Sequence, residues 1–486
     1  MKDQYKDSYA HVLKYTSIFG SIQGLSIFLS LVRTKVLAVL LGPLGMGYVS
    51  LFNSALNFIS QATGLGLSMS AVKTLSEVYE QGDKNRISHH VNVIRYWSML
   101  TAIFGMLVCV MLGPLLSHYT FSWGNHTLHF VLLAPAVAMM AITGGEIVIL
   151  KSAQQLRQLA VAQVYAAVCG VVISIPVYYI WELKGIVPVI VLMALAQMVL
   201  VLYYSIRLFP YRIQKTKAIF REGLGMVRLG LAFTIAAAIS SGGEMLIRSY
   251  LNVKADMDEV GLYNAVYMII FTYAGMVFTA METDYYPRLS GVNKDVVESN
   301  RIVNIQLEVS VLLLSPMLMG MMVFLPILIP LFFSSKFQPI VPVTQLALMA
   351  MFLKAITLPV AYLSLARGRS RSFLFLETAY WVFFVVAFVV CYHFWGLFGT
   401  GIAIVTAHIF DLIMIHAYAY AFYSYRITSQ VVRLSTVQVG LGLMAYLITI
   451  WSPNPAVYWS CGILILLLCT CYSVQVMRKR LSVHAS

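Results

Sequence analysis

The sequence is poor in charge, and poorer still in acids. Charged residues fill 11% of 486 positions, and Lys and Arg outnumber Asp and Glu by 33 to 19. Hydrophobic residues make up 60%, and the mean hydropathy is +0.81. A soluble globule, whose apolar share is nearer half, is excluded. The net charge of +14 does not gather in one patch, because the Lys and Arg sit in short loops between apolar runs. Nucleic acid is therefore not the expected partner. The six cysteines, Cys109, Cys169, Cys391, Cys461, Cys469 and Cys471, have neither metal-ligand nor disulfide-framework spacing, so no metal and no cofactor is expected. There is no GxxxxGK[ST] loop for ATP phosphates. No nucleophile–base set emerges, which argues against an enzyme. The opening MKDQYKDSYAHVLKY lacks a small-residue cleavage site and reads as the lead into a retained first span.

What the chain does contain is a succession of apolar runs. A crossing needs about 20 such residues, and on that measure we place about fourteen transmembrane helices. They fall near 14–41, 44–70, 94–117, 127–150, 158–180, 185–206, 226–252, 260–287, 302–333, 340–366, 372–394, 397–424, 433–451 and 456–477. The fold class is thus an all-α polytopic membrane protein. With the N-terminus inside, 26 of the 33 Lys and Arg fall in inner segments. The outer side keeps Arg33, Lys35, Lys184, Arg248, Lys254 and Lys336, and Lys354 lies within a span. This alternation is the positive-inside pattern, and it predicts that both termini are cytoplasmic.

The stretch LVRTKVLAVLLGPLGMGYVSLFNSALN from Leu31 has a second copy in MLIRSYLNVKADMDEVGLYNAV from Met245. Setting Gly47 on Gly261 also sets Leu75-Ser76 on Leu289-Ser290, and single-residue shifts bring Arg33 onto Arg248 and Asn85-Arg86 onto Asn300-Arg301. A repeat of this length is far beyond a solenoid period. It predicts two pseudo-symmetric six-helix lobes related by an axis along the membrane normal. The N-terminal lobe is expected over 1–206, a basic cytoplasmic linker over 207–225 and the C-terminal lobe over 226–425. Residues 426–486 have no counterpart in the repeat, and form an additional helix pair and tail.

An ionisable residue at membrane depth usually faces a cavity or a partner. Arg33 and Lys35 lie roughly 29–32 Å along the helix from Lys14, in its outer third. Each has two open readings, snorkelling to the interface or facing a cavity. For Arg33 the repeat partner Arg248 favours the cavity. Glu244 precedes Arg248 by four residues on the same helical face, so it is either the partner of Arg248 or a competitor of a ligand. Lys354 is the deepest cation, and a cavity role is favoured. Asp411 sits mid-span with His408 three residues before it, and the two could relay a proton or simply satisfy each other. Glu146, Glu308 and Glu377 lie near cytoplasmic ends, where solvated or loop-paired carboxylates are the default. Pro326, Pro330, Pro339 and Pro342 mark expected bends, and the interfacial Trp and Tyr, Trp123 among them, read as belt anchors.

The first-repeat pattern of Arg33 followed by Leu41-Gly42-Pro43-x-Gly45-x-Gly47 resembles a known family, as do Asn53, Asn57 and the second-repeat run Tyr286-Pro287-Arg288-Leu289-Ser290. They are similar to the polysaccharide flippases of the multidrug/oligosaccharidyl-lipid/polysaccharide exporter superfamily, in its O-antigen translocase branch. The resemblance implies two lobes around a cationic cavity in the cell inner membrane. Its implied role is to move undecaprenyl-pyrophosphate-linked oligosaccharide from the cytoplasmic to the periplasmic leaflet. It also implies that Arg33, Arg248, Lys354 and Lys35 meet the pyrophosphate. Asp411, His408 and Glu244 are the candidates for coupling to H+ or Na+. Membrane lipids and other polysaccharide-assembly membrane proteins are the partners such a role implies. The alternatives are a multidrug exporter of the same superfamily, which would want acidic residues in its cavity, and a membrane polymerase or ligase.

Overall fold

A computed structural model of the chain describes residues 25, 28–120, 125–210, 217–292, 294–451 and 454–483. The expected start of the first span at Lys14, Trp123, Arg212 and Lys215 of the basic linker, and the last three residues of the tail lie outside the described residues. Every regular element among the described residues is a helix. Nine stretches among them are long and apolar enough to cross a membrane. The expected fourteen goes beyond these nine. Large apolar side chains such as Met111, Ile180 and Leu464 are exposed on the helix surfaces, as a lipid-facing exterior requires. The protein is a multi-pass membrane protein.

Two compact units divide the chain, residues 1–258 and 259–486. The first opens with α1 (28–40), then α2 (Gly42–Thr63), α3 (Leu67–Glu80), α4 (Lys84–Thr120) and α5 (Thr127–Ser152). It continues with α6 (Leu156–Trp181), α7 (Ile186–Leu208) and α8 (Lys217–Lys254). Gly42 takes a φ of +66° and Pro43 opens α2, so the expected helix break falls at Gly42-Pro43. Gly66 combines a φ of +65° with a backbone-to-backbone approach: a Cβ there would lie 2.2 Å from the Gly230 carbonyl oxygen of α8. Only glycine fits such a crossing. Beside it Leu75, Ile94, Trp97, Ile149, Ile219 and Met226 close an apolar core between α3, α4, α5 and α8. Compactness and repeat part company here. The repeat begins its second copy near residue 226, and yet α8 packs on α2, α3 and α4.

The second unit takes in most of α9 (Met257–Tyr267), a π-helical segment (Met268–Ala274), α10 (Gly275–Gly291) and α11 (Val296–Phe332). A short 3₁₀ turn leads to α12 (Val341–Ala366), followed by α13 (Ser370–Tyr423), α14 (Ser429–Trp451) and α15 (Pro455–Val483). Helix α11 runs on through Pro316, Pro326 and Pro330. Each proline strips a hydrogen bond from the carbonyl four residues earlier, and inside a membrane that carbonyl needs another donor. Gln345 Nε2 reaches the Met322 oxygen at 3.1 Å, and Gln338 Nε2 reaches the Pro326 oxygen at 3.3 Å. Helices α14 and α15 pack on α11.

The repeat also shows in backbone torsions. Gln154 and Gly368 have φ of 54° and 65°, and Glu182 and Gly396 have φ of 46° and 54°. Both pairs share the offset that sets Gly47 on Gly261. The match extends to ψ, −128° at Glu182 and −139° at Gly396. These two residues break the stretches Arg157–Leu208 and Ser370–Tyr423, whose 52 and 54 residues are more than one crossing uses. Just beyond each break a glycine closes the turn. A Cβ on Gly185 would lie 2.9 Å from the Val177 oxygen, and one on Gly399 would lie 2.1 Å from the Cys391 oxygen.

Candidate functional site

In the first unit, Arg33 projects from α1, half-buried, with Nη1 3.3 Å from the Met193 sulfur of α7. The guanidinium also passes Gly170 of α6, where a Cβ would lie in ordinary contact with it at 3.7 Å. Lys35, two residues on, is half-buried as well. Arg248 on α8 is only 5% exposed. Its Nε donates to Ser50 Oγ of α2 at 2.7 Å, and its Nη1 donates to both the backbone oxygen and Oε2 of Glu244 at 3.2 Å. The pairing of Glu244 with Arg248 is therefore present. Arg33 and Arg248 are held by different sets of side chains, on helices of the same unit.

A second charged group in this unit joins α4 to α5. Arg95 of α4 grips Glu146 of α5 with two bonds, Nε to Oε1 at 2.8 Å and Nη2 to Oε2 at 3.2 Å. Its Nη1 donates to the Phe209 carbonyl at 2.8 Å, and Ser205 Oγ of α7 donates a short bond to Glu146. Both charged side chains are under 5% exposed. The sequence marks Glu146 as a solvated or loop-paired carboxylate and does not single out Arg95. The 51 positions between them give no periodic signal that would have joined them.

In the second unit, charge collects in one place. Lys354 of α12 lies 5.9 Å from the Phe271 ring and 5.4 Å from the Phe278 ring. It is also near enough to act on the charges of Glu377 and Asp411, which act on each other, and on His408. His408 is 3% exposed, with its ring between Phe271 and Tyr380 and its Nδ1 2.9 Å from the Ile404 carbonyl. A carbonyl only accepts, so Nδ1 is the donor in this contact, and Nε2 is the acceptor when the ring is neutral. Phe271 belongs to the π-helical segment, a distortion that recurs at functional sites. The structure thus brings together Lys354, Asp411 and His408, and adds Glu377. Sequence reasoning set Glu377 aside because it lies within two turns of the start of α13. Among the described residues, no group of three or more His, Cys, Asp and Glu could hold a metal ion.

The family model for polysaccharide biosynthesis proteins matches residues 36–342. No curated protein matches the sequence. Among solved structures, the fold is similar to an inward-facing MATE family multidrug resistance transporter of the MOP superfamily. The TM-score is 0.69 and the identity 14%, over 82% of this chain and 94% of the other. It is also similar to the lipid II flippase MurJ in an inward closed conformation, with a TM-score of 0.69 and 13% identity over 96% of this chain and 99% of the other. A MOP superfamily transporter from Pyrococcus furiosus matches with a TM-score of 0.61 and 15% identity, over 84% and 93%. The fold is that of MOP superfamily transporters, and the match over residues 36–342 means that the chain belongs to the polysaccharide biosynthesis protein family.

Proposed function

We propose that the protein is a flippase that carries undecaprenyl-pyrophosphate-linked oligosaccharide from the cytoplasmic to the periplasmic leaflet by alternating access, without making or breaking a bond. The observation that carries this reading is the polysaccharide family match lying on a transporter fold. A sugar-diphosphate headgroup brings about two negative charges into a low-dielectric slab, so its carrier needs Arg or Lys at depth. Arg33, Arg248, Lys35 and Lys354 are the residues for that task. We further assign fourteen crossings with both ends in the cytoplasm, and the inner membrane as location.

Coupling to H+ or Na+ is assigned to Asp411 and His408, with Glu244 in the first unit as a further candidate. The support is the sharing of one cation, Lys354, by Glu377 and Asp411. Two carboxylates within electrostatic reach of one ammonium outnumber it, as a site for an exchangeable cation requires. The same pair favours a second reading, export of cationic drugs, because a carboxylate at depth can bind a cation. Reconstituted vesicles separate the two. A lipid-linked oligosaccharide should cross with its mass unchanged, Asp411→Asn should abolish the response to a proton or sodium gradient, and a cationic dye should not be moved. Dye transport without lipid movement would favour the exporter, and a lengthened glycan would favour a polymerase.

A further inference from the structure

At one end of the second unit the loop between α12 and α13 carries Arg367 and Arg369, Arg371 follows in the first turn of α13, and no acidic residue shares that turn. Two of these arginines share one aromatic ring. The Arg367 guanidinium lies 4.9 Å from the Tyr423 ring centre and that of Arg369 lies 5.4 Å from it. Arg367 Nη2 is anchored to the Tyr423 carbonyl at 3.3 Å, while its buried Nε has no hydrogen-bond partner. Burial and the nearby Arg369 charge hold the Arg367 guanidinium below its usual range. Like charges fixed on one ring, with a third arginine in the adjoining helical turn, make a site for an anion. The nearby carboxylates do not neutralise it, because Glu377 and Asp411 lie with Lys354.

A groove adjoins this end. It offers about 470 Å³ between the two halves of α13, and its lining includes Phe375, Thr378, Val382, Phe383, Val386 and Phe410. Arg371, Phe375, Val382 and Val386 fall at helical spacing, so the groove continues the stripe that begins at an arginine. From Arg371 to Val386 the helix rises about 22 Å, more than the roughly 15 Å of one leaflet's hydrocarbon. The loop joins two membrane-crossing stretches, Ser335–Ala366 and Ser370–Tyr423. It therefore lies at a membrane interface.

We propose that this loop and groove form a binding site for an anionic phospholipid, with its phosphate on Arg367, Arg369 and Arg371 and one acyl chain along the Phe375–Val386 groove. The site is separate from the transport reading, and would hold whatever the cargo. Phosphate supplies the acceptor oxygens that guanidinium forks match, and a net negative headgroup matches the three charges. An acyl chain suits a groove walled by apolar and aromatic side chains.

The test is native mass spectrometry of the full-length protein in detergent, titrated with phosphatidylglycerol and with phosphatidylcholine. Arg369→Ala combined with Arg371→Ala spares Arg367, which holds the loop to Tyr423. The double variant should bind phosphatidylglycerol about thirtyfold more weakly, about fivefold for each arginine, with its melting temperature unchanged. Val382→Trp fills the groove and should weaken binding of the same lipid with the arginines intact. Equal retention of the two lipids, or unchanged binding in either variant, would overturn the proposal. So would displacement of the lipid by millimolar inorganic phosphate, which would make this a site for the free anion. A dimer in place of bound lipid would overturn it as well.

Discussion

Removing Glu146 should damage the protein more than removing any surface carboxylate. The change Glu146→Ala leaves the Arg95 guanidinium in a site where its side chain is 4% exposed, with its two bonds to the carboxylate gone. Breaking a buried pair by deleting one partner costs about 3–5 kcal/mol, mostly the penalty for the charge left behind. The remaining bonds to Phe209 and Ser205 keep the arginine from leaving its pocket. An internal control exists in the Glu298–Arg301 pair, whose side chains are 33% and 63% exposed. Exposed pairs contribute about 0–1 kcal/mol, so Glu298→Ala should hardly move the melting point. The assay is denaturant unfolding in detergent, with the monodisperse fraction on size exclusion as a second readout. The double change Arg95→Met with Glu146→Leu removes both charges, and should recover part of the loss. What it leaves is about 1–3 kcal/mol for the polar groups that lose their partners, the Phe209 carbonyl and the buried Ser205 hydroxyl. If Glu146→Ala cost no more than Glu298→Ala, or if the double change were as harmful as the single, the penalty would not come from an unpaired buried charge.

Glu182→Gly should stabilise the protein by about 0.5–2 kcal/mol, because a non-glycine residue at its φ of 46° is strained and the repeat counterpart is already Gly396; a lower melting temperature would contradict this. Reporter fusions at Asn125, Gln214 and Ser486 should score outside, inside and inside, and a periplasmic C-terminus would break the fourteen-span layout. Arg248→Lys should lower transport by about tenfold or more at equal protein level, since Lys cannot keep the forked contacts to Ser50, Glu244 and a phosphate together; full activity would assign Arg248 to packing alone. Arg33→Ala is expected to lose a similar factor, and retained flipping would limit Arg33 to its contacts beside Met193 and Gly170.

The helical class and the order of the apolar segments were legible because membrane helices satisfy their own backbone, which leaves their signal in one continuous stretch of sequence. The repeat was legible for a related reason: its marks are local, glycines and arginines at fixed spacing, and the torsions at Glu182 and Gly396 follow them. Contacts between helices leave no such trace. Arg95 and Glu146 meet across 51 positions, and nothing near either residue in sequence announces the other. Depth along the sequence misled in the same way. Glu377 is seven residues from the first residue of α13, which suggested a solvated end, yet it shares Lys354 with Asp411. Distance from a helix terminus measures distance from water only where no neighbouring helix covers that turn. For a bundle of this kind, the sequence-level rule for finding charged sites should therefore be weakened. A carboxylate within two turns of a predicted end should stay a candidate whenever a cation such as Lys354 lies deep in the helix that packs against it, because the cation needs a partner and the nearest helix must supply one.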